Sequence, residues 1–386
     1  MELVERVVSV FIEKFKRDPA VFVSPGRINL IGEHTDYNEG FVMPAAIDKH
    51  LVFAMTPSED ERCHVHAIDL DDGAIFSIHD LKPGHMWVNY LMGVLDGFQK
   101  RGHAVKGIHC VFGGNIPTGA GLSSSAATCC GFGFGVNEIF GFGLPRLEIA
   151  RIAQGSENNF VGVMCGIMDQ YACLFSKANS ALLLDCRNLT HRILPMNLIG
   201  YEILLIDSKV KHSLASSAYN DRRRACEEGA WVMGKTFLDV HSLRDVSRTM
   251  LFEFKDRLSK DVFEKCHFIV EEMERTQQAA RLLMAGDIKN FGDLMYQTHW
   301  GLSKSYEVSC EESDLLVTLA EQHREYVPGA RQMGGGFGGC TINIVRTDYK
   351  ENFTREIQKK YFASFKKEPD FYSVNLSDGV HSVNAN

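Results

Sequence analysis

Hydrophobic positions change their period along the chain, and the changes mark out its elements. At the start, MELVERVVSVFIEKFKRDP sets Leu3, Val7, Val10 and Phe11 on one helical face. Glu5, Arg6 and Glu13 interrupt any secretory h-region, so the segment does not read as a signal peptide. Alternation between turn-like flanks predicts strands in LVFAMTP, from Leu51, and HVHAID, from His64. WVNYLMGVLDGFQKRG, from Trp87, predicts a helix ended by Gly102. KGIHCVFGGNIP reads as a strand, followed by a glycine-rich turn and a helix that starts at the serines beyond it. IARIAQGSENNFVGV continues helically, and SALLLDCR and YEILLIDS read as buried strands. Residues 220–325 are mostly helical by pattern, TINIVRT from Thr341 is a strand, and FTREIQKKYFASF is a closing helix.

At 386 residues the chain exceeds what one core comfortably covers, which favours two domains. Composition shifts near residue 185 from glycine-rich to charged and helical, placing an N-terminal domain over 1–185 and a C-terminal domain over 186–386. The net charge of -8 argues against a nucleic-acid surface. Arg222, Arg223 and Arg224 are followed by Glu227 and Glu228 and read as a solvated helix face. Eleven cysteines without a CxxC pair suggest free thiols in a reducing, cytoplasmic compartment, not a zinc site. The span Gly107 to Asn137 carries no Lys, Arg, Asp or Glu, but its glycines, hydroxyl residues and Pro117 exclude a membrane helix.

Two stretches carry candidate chemistry. SPGRINLIGEHTDYNEGFVMPAAI, from Ser24, crowds Arg27, Glu33, His34 and Asp36 into an apolar run. Leaving such groups buried without partners costs about 1–3 kcal/mol each, so they satisfy one another or await a ligand rich in hydroxyls. A sugar suits them, because carboxylates take its donated protons while Arg27 and His34 supply donors. On spacing alone, a capped turn with surface ion pairs fits equally well. The second stretch is NIPTGAGLSSSAAT, from Asn115. Gly119 and Gly121 let backbone approach an anion, and Ser123, Ser124 and Ser125 lead into a helix start, where amides favour phosphate. The helix dipole contributes only about 0.3–1 kcal/mol, up to about 2, so hydroxyls and Mg²⁺ must supply most of the neutralisation of a triphosphate. No lysine sits in this loop, which excludes the GxxxxGK[ST] pattern.

GRINLIGEHTDYNEG, Gly26 to Gly40, resembles the signature that opens galactokinases, in the superfamily of galactokinase, homoserine, mevalonate and phosphomevalonate kinases. PxGxGLSSSAA resembles that superfamily's ATP loop, Leu122 included. The resemblance runs from about residue 20 onward and implies a two-domain α+β fold with the active site in the interdomain cleft. It implies that one of Ser123 to Ser125, with Ser125 the choice, ligands Mg²⁺ together with Glu157. Read alone, Glu157 is an ordinary exposed helix glutamate. Trp87 and Tyr90 match a WxNY pattern near the adenine pocket, although lone helix aromatics are more often core. Asp169, in CGIMDQ, resembles the catalytic aspartate, with Arg27 holding its carboxylate ionised and stabilising the transferring phosphoryl group. Gly166 and Tyr219 complete the sugar contacts by the same resemblance.

RQMGGGFGGC, from Arg331, is similar to a third family motif, in which Gly334, Gly335 and Gly336 offer backbone contacts. The motif also matches GxGxxG, but it precedes a strand near the carboxyl end, the wrong context for a dinucleotide fold. Galactokinases usually carry threonine where this chain has Met333, a departure that removes a hydroxyl near the expected phosphate site. Thr35 favours an unsubstituted hexose over an N-acetylhexosamine, since the related N-acetylgalactosamine kinases carry a bulkier residue there. The implied function is ATP-dependent phosphorylation of the anomeric hydroxyl of galactose by a monomer. The alternatives are another hexose or N-acetylhexosamine as substrate, or a sensor of sugar and ATP without turnover.

Overall fold

The computed structural model describes residues 2–84, 87–117, 119–210 and 215–383. Helices and strands are numbered along the chain. A six-stranded sheet combines five strands from the first half with one from the far end of the described chain, in the order β13 (His381–Val383), β1 (Ala20–Asn29), β3 (Pro44–Pro57), β6 (Ile108–Gly114), β4 (Arg62–Ala67) and β5 (Asp72–Ser77). β4 and β6 run parallel, and the other pairs are antiparallel. The hydrophobic pattern predicts no strand at β1, yet the structure has one. Every β1 residue after Ala20 is buried, so no alternation marks it. Pro25 and Gly26, which look like a turn, sit at a register shift against β3.

Both faces of this sheet are covered. Helix α1 (Glu2–Phe15) lays Val7 and Phe11 against Val21, Val23 and Val52 on one face. On the other lies α3 (Ser124–Ile139), where an added Cβ would come within 2.4 Å of Phe53 at Gly131 and 2.5 Å of Met55 at Gly135. The glycines of the uncharged span therefore permit a close helix-to-sheet approach. α2 (Val88–Gln99), α4 (Arg146–Ser156) and α5 (Met168–Phe175) pack around α3, and α4 runs on into a π turn, Glu157–Val161. Among the described residues, no helix is long and apolar enough to cross a membrane.

A three-stranded sheet of β2 (Phe41–Val42), β7 (Ser180–Asp185) and β8 (Thr190–Pro195) follows, and residue 185 falls where β7 turns back into β8. The second half contains an antiparallel sheet in the order β10 (Gly329–Gln332), β11 (Cys340–Arg346), β9 (Tyr201–Asp207) and β12 (Asp370–Val374). α10 (Glu311–Glu321) and α11 (Lys350–Phe365) share its core through Leu316, Phe353 and Tyr361. Another core joins α6 (Ala215–Gly234), α7 (Arg248–Glu253) and α8 (Lys260–Met284), with α9 (Ile288–Lys304) alongside α8. Here Arg224 is exposed, as on a solvated face, but Arg222 and Arg223 are half-buried. Arg222 donates to the carbonyls of Tyr306 (2.7 Å) and Glu307 (3.0 Å), and Arg223 to that of Met164 (3.0 Å). Mostly antiparallel sheets, each packed with helices, make the fold α+β.

Candidate active site

The bulge in β1 turns Arg27 inward, where its side chain is 5% exposed. Nε and one terminal nitrogen donate to the two oxygens of Asp169, both at 2.7 Å, and the other terminal nitrogen donates to the Gly121 carbonyl at 2.6 Å. The Ser123 hydroxyl also donates to Oδ2 of Asp169. One guanidinium thus joins the first strand, the first turn of α5 and the phosphate loop. A bidentate fork of this kind fixes orientation as well as charge.

Around this junction lies a cavity of about 340 Å³. In its lining Arg27, Glu33, His34 and Asp36 of the polar strip meet Ser125, Glu157, Gly166 and Asp169. Tyr219 and Gly334 to Gly336 close it. Larger clefts of about 840 and 560 Å³ lie elsewhere, but this smaller one gathers the buried charged groups. Burial of Arg27, Glu33 and His34 rules out the capped surface turn.

Asp169 pairs with Arg27 and Glu33 with Arg331, whereas among the described residues neither Asp36 nor Glu157 has an ion pair. Burial, then the nearby Asp169 charge, pushes Asp36 up to about 7, although backbone N–H groups of Tyr37 and Met168 pull it back. Glu157 is also pushed up to about 7 by burial and Asp169, against hydrogen bonds from Ser125 and Gln170. It is 6% exposed rather than an open helix glutamate. Burial drives Glu33 up as well, opposed by Arg331 and Arg27. His34 is lowered to about 3 by burial and the charges of Arg222 and Arg331, so its ring is neutral. Its Nδ1 meets the Tyr37 hydroxyl at 2.8 Å, which meets that of Tyr306 at 2.7 Å. Nε2 is buried without a partner, as suits a ring awaiting a hydroxyl.

The phosphate loop is built for an anion. Gly119 and Gly121 have φ of 80° and 76°, and Ser123 is also left-handed at 56°. That conformation is strained in a residue with a side chain, and the Ser123 hydroxyl is held by Asp169. As a result Ser123 does not cap α3, leaving its first amides without a side-chain partner. Ser124 opens α3, and Ser125 faces Glu157. Leu122 has its side chain in the core and only its carbonyl at the site, accepting from the Arg27 N–H at 3.2 Å. Gly166 is required, because a Cβ there would lie 2.1 Å from Oδ2 of Asp36.

Other residues stand back from the cavity. Trp87 donates to Asp72 at 2.7 Å and packs edge-on to Phe112, while the Tyr90 ring lies near Glu157 without lining the space. Met333 is buried, its sulfur accepting from the Asn29 N–H at 3.4 Å, so the threonine position of this motif points into the interior. Thr35 is likewise off the cavity, donating to the Phe41 carbonyl at 2.6 Å and packing on Gly40. A bulkier residue there would act on the sugar only by moving the loop. Sequence reasoning assigned no role to Arg331 or Glu272, which sit behind the sugar wall. Arg331 was signalled only by its place just before the glycines, and Glu272 by nothing.

Residues 89–177 match the family model of the GHMP kinase N-terminal domain, and residues 9–57 match the galactokinase galactose-binding signature. A mevalonate kinase structure from Methanococcus jannaschii shares the fold, with a TM-score of 0.63 at 17% identity over 93% of this chain and 99% of its own. Fold and cavity together define a small-molecule kinase of the GHMP superfamily. Galactokinases from Thermosipho africanus and Clostridium acetobutylicum are each 39% identical, over 93% and 100% of this chain and 99% and 100% of their own. The structure of Lactococcus lactis galactokinase complexed with galactose has a TM-score of 0.92 and 32% identity, covering 98% of this chain and 99% of its own. The chain belongs to the galactokinase family and is a sugar kinase.

Proposed function

We propose that this enzyme transfers the γ-phosphoryl group of ATP to the anomeric hydroxyl of galactose, giving galactose 1-phosphate and ADP. The observation that carries the reading is the junction of Arg27, Asp169 and Ser123 within one cavity. Glu33, Asp36 and the Nε2 of His34 would take the sugar hydroxyls, with Tyr219 and the Gly166 backbone beside them. Among the described residues, Oδ2 of Asp169 accepts from both Arg27 and Ser123, whereas Oδ1 accepts from Arg27 alone. Oδ1 therefore keeps a lone pair for the attacking hydroxyl. Held by the guanidinium fork and the Ser123 hydroxyl, Asp169 orients the nucleophile as much as it removes the proton, in keeping with largely electrostatic phosphoryl transfer.

Backbone from Gly119 to Leu122, the α3 amides at Ser124 and Ser125, and Gly334 to Gly336 would cradle the phosphates, with Trp87 and Tyr90 on the adenine side. Ser125 and Glu157 fit a magnesium ion, since a buried acid raised to about 7 beside a hydroxyl lacks a cation. Among the described residues no group of three His, Cys, Asp or Glu could hold a metal alone, so phosphates and water would complete the shell. When bound, the ion would neutralise phosphate charge. We also take the division at residues 185 and 186, a monomeric state and a cytoplasmic location as working assignments. The free state of all eleven cysteines supports the last. A coupled assay of ADP release, run with ATP or GTP and a panel of hexoses including N-acetylgalactosamine, tests the function. Turnover confined to an acetylated sugar, or none with any, overturns it.

A further inference from the structure

Behind the sugar wall lies a second layer of buried charge. Arg331, on β10, is fully buried and donates to the carbonyls of Leu30 (2.9 Å), Gln332 (2.7 Å) and Asn29. The same terminal nitrogen that reaches Gln332 pairs with Oε2 of Glu33 at 2.7 Å, and the Asn29 amide donates to that oxygen at 3.3 Å. Arg331 and Asn29 thus both engage Oε2 of the Glu33 carboxylate. From the opposite side Glu272, on α8, accepts the backbone N–H groups of Gly32 (2.8 Å) and Glu33 (3.3 Å), and is itself held by Thr298 (2.9 Å) and Arg275. Glu33 lines the cavity and neither Arg331 nor Glu272 does.

We propose that Arg331 is a positioning residue for sugar recognition, which pins Oε2 of Glu33 so that Oε1 alone is presented to a hydroxyl of the sugar. The inference rests on the galactose kinase reading above. Glu33 is a deeply buried carboxylate, and ionisation lets it accept only, which is the state a donating hydroxyl selects. The charges that face it are Arg331 from β10, Arg27 from β1, Asp169 from α5 and Asp36 from the loop it shares with Glu33. Glu272 reaches it through the backbone. Arg331 is the one cation in direct contact with the Glu33 carboxylate among the described residues. Without it, the carboxyl takes up a proton, becomes a donor and turns freely.

The test compares the parent with R331M, R331K, E33Q and the double variant R331M/E33Q, following KM for galactose and for ATP from about pH 6 to pH 9. Galactose-dependent ADP release by the parent is the control, and its absence would defeat the functional reading rather than this inference. For R331M, the galactose KM should rise about tenfold or more near neutral pH and fall back toward the parent as pH rises, with the ATP KM within about threefold, as loss of one charge-assisted hydrogen bond requires. The double variant should match E33Q within about twofold and have the same pH profile, because the coupling passes through Glu33. R331K, which keeps the charge without the fork, should give a smaller rise in the galactose KM. If R331M does not fold, R331K carries the test alone, and an unchanged galactose KM in it overturns the proposal. Equal rises in both KM values, or a double variant far worse than E33Q, also overturn it.

Discussion

Replacing Asp169 by Asn is the sharpest probe of the junction. The substitution keeps the shape but removes the charge from a carboxylate that accepts two arginine N–H bonds at 2.7 Å and a serine hydroxyl. Loss of an orienting base costs about 10²–10⁴ in turnover, or about 3–5 kcal/mol of transition-state stabilisation. Folding also suffers. Breaking a buried pair costs about 3–5 kcal/mol, but Asp169 is 26% exposed and Asn retains one acceptor, so we expect about 1–3 kcal/mol. A third effect has the opposite sign. The Asp169 charge helps raise both Asp36 and Glu157 to about 7, so its removal lets both ionise at lower pH. ADP release at saturating galactose and ATP gives turnover, thermal unfolding gives stability, and the acid limb of the pH profile should move downward. Turnover within about tenfold of the parent, with the acid limb unmoved, would refute both the catalytic role and the electrostatic coupling.

Three further outcomes follow from the site. Glu157 has a folded value of about 7 against an ordinary 4.5, so its share of stability is intact below the ordinary value and is lost as pH rises through about 7. Glu157→Gln should therefore stabilise the ligand-free protein by about 1–3 kcal/mol above neutral pH, and it should abolish any extra thermal shift produced by Mg²⁺ with ATP at about pH 8 relative to pH 6. A variant less stable than the parent at the higher pH contradicts this. Gly166→Ala would place a Cβ 2.1 Å from Asp36 and should raise the galactose KM about tenfold or more while leaving the ATP KM within about threefold; steady-state kinetics in both substrates decides. Met333→Thr should leave the ATP KM within about twofold but cost about 1–3 kcal/mol in thermal unfolding, since it empties a buried volume rather than adding a phosphate contact.

How much the sequence revealed depended on whether the physics was local. Leu3, Val7 and Phe11 announce α1 because one amphipathic face is enough, and the serines announce α3 because helix starts have their own chemistry. β1 was hidden because Val21 to Asn29 are buried on both faces and Pro25–Gly26 imitate a turn. The polar strip near the start was legible as charge that needs partners or a ligand, and the glycines and serines beyond Asn115 as a turn that opens a helix. What escaped was the support behind them. Glu272 reads as one acid in EEMER until α8 brings it against the N–H of Gly32, and Arg222 reads as solvated until Tyr306 and Glu307 present their carbonyls. Those partners lie far off in the chain, and no period or motif records a partner.

β13 pairs with β1, register Val21 to Val383, and so lies along the strand that delivers Arg27. A segment made later in synthesis thus flanks one made much earlier. On the ribosome the early strand must wait with one edge unclasped, and phosphotransfer competence should appear only after residues 381–383 have emerged. Chains that stop short would carry every motif in their primary structure and still lack the brace on the start of the strand that carries the reactive arginine.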